Sequence, residues 1–382
     1  MRGRSLVVLA LLATGLAGCG SSSSSSSGSP STTAAAATAA SGTSLKGICP
    51  DNIVIQTDWF ATPERAAAYQ LIGPNGKIDA SKGTYSGPLG TTGVNVEVRM
   101  GGPFIGFNPI PQQMYTDSSI FMGLVATDDA VGAYAKFPTK AVVAPLDINP
   151  QILMWDPATY KINTWSDVAA SGAKILYIEG MPFMDYLVAK GYVKKDQLDS
   201  SFDGTPARFV AAGGKVIQQG YASNEPYRWQ NDVDGWKKPV KYLLVNDAGY
   251  PIYPQGYAVK PDVITSKADC LKKLTPMIQQ AQVDYAKTPG PVNDALVRIA
   301  TAVNQGPPIT AAANADAVKT MLDLKIISNG ANAVLGDFDM NRVTQSIDAA
   351  RPLFAANSQA VPASLQATDL VTNQFIDTSI HL

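Results

Sequence analysis

Histidine is almost absent from this chain: among 382 residues only His381 occurs, the penultimate one. A lone imidazole at that position excludes a Ser-His-Asp triad within the body and any histidine-rich metal centre. There is no Gly-x-Ser-x-Gly turn and no phosphate-binding loop, since Gly73 to Lys77 has the wrong spacing. Charge is also sparse. Charged residues make up 16% of the chain, 30 basic against 31 acidic, with no basic stripe. That excludes a nucleic-acid partner held by phosphate contacts. Beyond the first dozen residues no apolar run is long enough to span a bilayer. Carboxylates act without histidine, so catalysis is not excluded. The absences still shift the expectation towards binding, with no catalytic residue, cofactor or metal assigned.

What is present begins at the N-terminus. Arg2 and Arg4 form a positive n-region, and Leu6 to Leu12 form an apolar run too short for a permanent span. Leu16-Ala17-Gly18-Cys19 then reads as a bacterial lipobox, with residues 1–18 as signal peptide. Small residues before the cysteine suit a signal peptidase, and the Cys19 thiol would carry a diacylglyceryl chain. The alternative is an ordinary signal peptide with a chance cysteine. Ser21 to Ser27 is pure serine, and Ser, Thr, Ala, Gly and Pro continue to Ser44. Such a stretch buries no core, so 19–46 reads as a lipidated cysteine and a disordered tether. Removing Arg2 and Arg4 leaves 28 basic residues against 31 acidic ones, a formal charge of −3. Cys49 and Cys270 remain as an even pair in an oxidising compartment, where a bridge is expected over two unrelated thiols.

About 336 residues follow the tether, more than one usual core holds, which favours two lobes. Asn52–Gln56 is a β-branched strand. Thr62, Pro63 and Gly73 supply the cap, first turn and stop of a helix. Val94, Val96 and Val98 alternate with polar residues as a second strand. Ile120 to Ala126, Val142 to Pro145 and Ile152 to Trp155 are further strands, the last leading into a second lobe. There Thr164 and Asp167 read as a capping pair, Lys174 to Ile178 and Val216 to Gln219 as strands, and Pro182 and Thr205-Pro206 as helix starts. Tyr242 to Val245 reads as the return towards the first lobe. From Ser266 onward the pattern is helical, with Pro276 expected to kink or delay the first helix. Alternating strands and helices imply mainly parallel sheets with helices on both faces, and ligand sites at the carboxyl ends of strands.

Ile53-Val54-Ile55-Gln56-Thr57-Asp58-Trp59, Thr164-Trp165-Ser166-Asp167-Val168 and Gly220-Tyr221-Ala222-Ser223-Asn224-Glu225-Pro226-Tyr227 carry a family resemblance. In order and spacing they resemble the type II solute-binding lipoproteins of ABC importers. The group is that of nitrate, sulfonate, taurine and thiamine-pyrimidine-precursor binding proteins. The likeness runs from about Ile53 to Val303, and Ala169 to Lys174 departs from the family pattern. The resemblance implies an α/β fold of two lobes, each a mainly parallel sheet flanked by helices, with ligand in the cleft. Lobe one would comprise 47–148 and 249–382, the latter with the C-terminal helices, and lobe two 149–248. The crossings are expected near Asp147 to Gln151 and Asn246 to Gln255. It also implies an extracytoplasmic monomer, lipid-anchored to the bacterial cell membrane, that hands a small solute to a permease and its ATPase. The alternatives are an extracytoplasmic enzyme or a non-transport sensing lipoprotein.

The candidate ligand residues lie on strand-end loops. Asp58 would accept from an amine or ring N–H and Trp59 would stack on a planar solute. Gly101 and Gly102 permit close backbone approach. Thr127, Asp128, Glu179, Tyr221 and Glu225 complete the set. Each has a plainer reading, as a helix cap, a turn or lobe packing. The set is acidic and aromatic, and Arg99 and Arg228 have no basic neighbour in sequence. A neutral or amine-bearing, heteroaromatic solute is therefore favoured over sulfonate or nitrate.

Overall fold

A computed structural model describes residues 44–306, 309–357 and 359–382. The lipobox with Cys19 and most of the serine-rich segment lie outside them. Strands β1 (Asn52–Gln56), β2 (Lys77–Asp79), β3 (Thr84–Pro88), β4 (Asn95–Arg99), β5 (Ile120–Val125) and β6 (Lys140–Val143) precede the first crossing. Strands β7 (Gln151–Trp155), β8 (Ile175–Leu176), β9 (Leu198–Asp199), β10 (Ile217–Tyr221) and β11 (Lys241–Leu244) follow it, and β12 (Gly256–Val259) comes after the return. They form two sheets, one ordered β2-β3-β4-β1-β5-β12-β6 and the other β11-β7-β10-β8-β9. The chain thus passes between sheets after β6 and again after β11.

The sheets are mixed. In the first, β4, β1 and β5 run parallel, while β2, β3 and β12 pair antiparallel. In the second, β10, β8 and β9 are parallel, and β7 and β11 are antiparallel. Helices feed the parallel centres. The flanks come from a hairpin and from strands adjoining the crossings, which need no helical crossover. The segment Tyr242 to Val245, expected to return the chain, instead lies largely within β11 and pairs with β7. The return is the irregular run that follows it.

Strand β1 shows how the sequence builds the core. Ile53 and Ile55 enter one apolar cluster and Val54 enters the cluster on the opposite face. This period of two with both faces apolar is that of a strand covered by helices. In β7, Ile152 and Met154 join the first cluster, while Leu153 and Trp155 join a third, in the second lobe. The expected capping box is present: Asp167 N–H donates to Thr164 Oγ1 at 3.3 Å and Asp167 Oδ2 accepts from Thr164 N–H at 2.8 Å. The helix Ala268–Lys287 runs through Pro276 without interruption. Pro276 cannot donate to the carbonyl of Lys272, and Lys272 is an exposed residue, on a side of the helix open to water.

Cys49 and Cys270 are joined by a disulfide, with Cα atoms 4.9 Å apart and a sequence separation of 221. The bond ties the segment before β1 to the helix Ala268–Lys287. Arg342, on the helix Met340–Ala356, ties down both crossings. Its guanidinium donates to Asp147 Oδ1 at 2.7 Å and to the Asp147 carbonyl in the first. In the second it donates to the carbonyls of Pro251 at 3.1 Å and Ile252 at 2.8 Å, and it lies 3.9 Å from the Tyr253 ring centroid. Among the described residues no helix is long and apolar enough to cross a membrane.

Candidate functional site

The loop after β1 is locked by one hydroxyl and by its backbone. Thr57 Oγ1 donates within 3.0 Å to the carbonyls of Trp59 and Arg99. The Gly101 and Gly102 N–H groups donate to the carbonyls of Trp59 and Asp58 at 3.0 and 3.1 Å. A Cβ on Gly101 would lie 2.3 Å from the Thr57 carbonyl oxygen. Only glycine therefore lets the two loops pack, and the close approach at Gly101 is to the protein's own backbone.

That loop presents Asp58 to Arg65, one turn into the following helical segment. Arg65 Nε donates to Asp58 Oδ1 at 2.8 Å, Nη2 donates to Oδ2, and Nη1 donates to Thr62 Oγ1 at 3.0 Å. Burial alone would lower the Arg65 pKa, but Asp58, then Tyr221 and Glu64, raise it above the ordinary arginine value. Arg65 also sits 5.7 Å from the ring centroid of Tyr221, at the end of β10 in the other lobe. Beside it, Glu64 Oε1 accepts from the hydroxyl of Ser223, again across the lobes. Glu64, Arg65 and Ser223 are all buried, at 1%, 4% and 1% exposure. The cleft is closed here, along a line of charged groups.

On the second lobe Glu225 turns back on its own strand, its Oε2 accepting from the Tyr221 N–H at 2.5 Å. Burial raises its pKa, and Arg228 opposes the rise. Arg228, 2% exposed, has its pKa lowered by burial against the pull of Glu225, Asp232 and Glu64. Trp59 is half-buried, edge-on to Phe60 at 5.5 Å and tilted to the exposed Phe107 at 6.1 Å. Gly204 of lobe two lies against its ring, so a Cβ there would be 3.5 Å from Trp59 Cζ2.

Asp129, after β5, takes no side-chain hydrogen bond among the described residues. Burial, then repulsion from Asp128 and Asp58, pushes its pKa up to about 8. Among the described residues no group of three or more His, Cys, Asp or Glu side chains is placed to hold a metal ion.

The alkanesulfonate-binding protein SsuA of Xanthomonas axonopodis pv. citri, bound to MOPS, is 12% identical with a TM-score of 0.54. The alignment covers 85% of this chain and 98% of that one. A Bordetella bronchiseptica protein is 14% identical at TM-score 0.52, covering 85% and 96%. The ligand-binding component of an ABC-type import system of Staphylococcus aureus, with zinc bound, is 11% identical at TM-score 0.50, covering 85% and 97%. This is the periplasmic-binding-protein fold. No protein-family model matches the chain, and no curated protein matches it in sequence.

Within the periplasmic-binding-protein fold the expected residues fall into three groups. Asp58 and Trp59 stand on the lobe-one wall, backed by Gly101 and Gly102, and Tyr221 and Glu225 stand on the lobe-two wall. Thr127 and Asp128 instead face the second crossing. Thr127 exchanges hydrogen bonds with the backbone of Tyr253, and Asp128 accepts from the Tyr250 hydroxyl at 2.7 Å. Glu179 is exposed on the loop before the helix Pro182–Ala189. Sequence reading missed Glu64, Arg65, Ser223 and Asp129. The available signal was adjacency: Glu64 and Arg65 follow Pro63 in the first turn after a strand-end loop, and Asp129 directly follows Asp128. Arg228 has no basic neighbour in sequence, and in the fold the charges that act on it are the carboxylates of Glu225, Asp232 and Glu64.

Proposed function

We propose that this chain is the extracytoplasmic solute-binding component of an ABC importer, lipid-anchored at Cys19, that captures a small organic solute between its lobes and delivers it to a permease. The observation that carries the reading is the contact line across the cleft, where Glu64 meets Ser223 and Arg65 meets Tyr221. Buried charged side chains of lobe one, Glu64 and Arg65, meet a hydroxyl and an aromatic ring of lobe two there. A ligand added there favours closure through contacts absent from the open form. Asp58, Glu64 and Glu225 outnumber Arg65 and Arg228, and Asp129 holds its proton at neutral pH, which supports a neutral or amine-bearing solute. Trp59 adds a face for a planar, heteroaromatic one.

The test is a thermal-unfolding screen of the purified protein against amines, pyrimidines, amino acids, sulfonates and nitrate, followed by calorimetry on each hit. Saturable binding with a raised unfolding temperature supports capture, since a ligand that binds only the folded state stabilises it by mass action. A screen with no saturable hit removes it. Anchoring is tested separately by fatty-acid labelling of Cys19→Ala in cells, where labelling equal to wild type removes the lipobox reading.

A further inference from the structure

The least satisfied charge in the closed cleft is Arg228. Its Nη1 reaches only the Asn224 side-chain oxygen, at 3.4 Å, while Nε and Nη2 are buried with no hydrogen-bond partner among the described residues. Those two nitrogens form one edge of the guanidinium, the edge that grips an oxygen pair side-on. Glu64 of lobe one reaches the same segment: it bonds Ser223, the residue next to the Asn224 that Arg228 Nη1 contacts. Oε1 is taken by Ser223, but Oε2 is buried with no hydrogen-bond donor, and its nearest cation, Arg65 Nη1, stands off at 3.6 Å. Arg228 and Glu64 attract one another but make no ion pair. A desolvated guanidinium edge and a desolvated carboxylate oxygen are each costly to leave without a hydrogen bond, and the ion pair at 3.6 Å offsets only part of that cost for Glu64.

We propose that Arg228 and Glu64 together form a two-sided reading site of the closed cleft, which takes a group offering an acceptor oxygen to the Arg228 Nε/Nη2 edge and an N–H donor to Glu64 Oε2. The inference rests on the reading of the chain as a solute-binding protein and narrows its solute. A plain amine leaves the Arg228 edge without an acceptor, and a plain carboxylate leaves Glu64 Oε2 without a hydrogen-bond donor. A zwitterion satisfies both, and so does a neutral amide or pyrimidine edge. Ser223 gives its one hydroxyl hydrogen to Oε1, which fixes the carboxylate and leaves Oε2 for ligand.

The experiment is calorimetry on the full-length protein with β-alanine (zwitterion), uracil (neutral donor and acceptor), propionate (acceptor only) and propylamine (donor only). The variants are Arg228→Gln, Arg228→Lys and the isosteric Glu64→Gln. Saturable binding of β-alanine or uracil is expected, with propionate and propylamine weaker by about tenfold or more, and a loss of about tenfold or more in each variant. Arg228→Lys is included because a point charge cannot replace the planar edge. A variant that fails to fold does not block the test, because the Nε–H resonance of Arg228 in wild-type protein must also shift on titration. Equal binding of one-sided and two-sided probes overturns the site. So does unchanged affinity in folded Arg228→Gln, and in both cases solute capture is left standing. An Arg228 resonance that no probe moves means water alone fills the edge and overturns it too. Solute capture itself fails only if the wider screen also finds no hit.

Discussion

Replacing Arg342 with methionine keeps the aliphatic stem and removes a group that grips both connections between the sheets. Four carbonyl or carboxylate acceptors lose their donor: Asp147 twice, Pro251 and Ile252. Asp147 retains Ser328, whose hydroxyl donates to it at 2.9 Å, and Pro251 retains the Ser346 hydroxyl at 2.9 Å. Ile252 is left with neither. A charged hydrogen bond contributes about 1.5–3 kcal/mol, and breaking a fully buried pair costs about 3–5 kcal/mol. The pair here is 17% and 23% exposed, so water recovers part of the loss. The contact with the Tyr253 ring adds about 1 kcal/mol. The expected net cost is about 3 kcal/mol, because these terms share one side chain and do not add in full. At about 2 °C per kcal/mol for a body this large, the unfolding midpoint should drop by about 6 °C. Arg342→Lys, which keeps charge but not the fork, should fall between wild type and Arg342→Met. Urea denaturation by circular dichroism measures the loss, and small-angle scattering reads whether the lobes spread. A loss below about 1 kcal/mol with unchanged scattering would show that the crossings hold themselves.

Three further outcomes are expected. Cys49→Ala with Cys270→Ala should cost up to about 5 kcal/mol, the chain-entropy figure for so long a loop, and urea midpoints of the oxidised and double-mutant proteins measure it. Asp129 holds its proton up to about 8 in the folded state, where a free aspartate gives it up near about 4. Between those values the folded state binds more protons than the unfolded one, so stability should fall as pH rises from about 4 through about 8. Asp129→Asn should flatten the urea midpoints measured at pH 5 and pH 9, and an unchanged slope would assign the effect to another group. Trp59→Ala should weaken an aromatic solute by about 1–3 kcal/mol in calorimetry, and wild-type affinity in the folded variant would place the stacking face elsewhere.

Much of the fold could be read from the sequence because its signals are local. The run Asn52–Gln56 became β1 with the same ends, and Thr164 and Asp167 made their capping box. Val94, Val96 and Val98 alternate as the strand requires, and Gly73, Gly191, Gly213 and Gly214 all take the left-handed conformation at helix ends. What stayed hidden depends on partners distant in sequence. β2 is three residues long and exists through its pairing with β3. β12 reads as an unremarkable Gly-Tyr-Ala-Val until β5 and β6 close on either side of it. The antiparallel flanks follow from where the chain crosses between sheets, which no local period encodes.

The site divides along the same line. Asp58 and Trp59 were visible because a polar-aromatic pair ends an apolar strand, a pattern written in adjacent residues. Arg65 gave no such sign, since its meaning comes from contacts in three places: Asp58 seven residues back, Thr62 in its own turn, and Tyr221 on the other lobe. Glu225 was expected to face the solute, yet one of its oxygens is spent on the Tyr221 N–H that ends β10. A carboxylate in the first turn after a strand meets free N–H groups there, and these compete with any ligand. Arg228 shows the converse. Its sequence neighbours argued against an anion site, but burial removed water from one edge of its guanidinium without supplying a protein acceptor. A residue's chemical use in this cleft is therefore set by which of its polar atoms the fold leaves unpaired, and that quantity exists only once both lobes are in place.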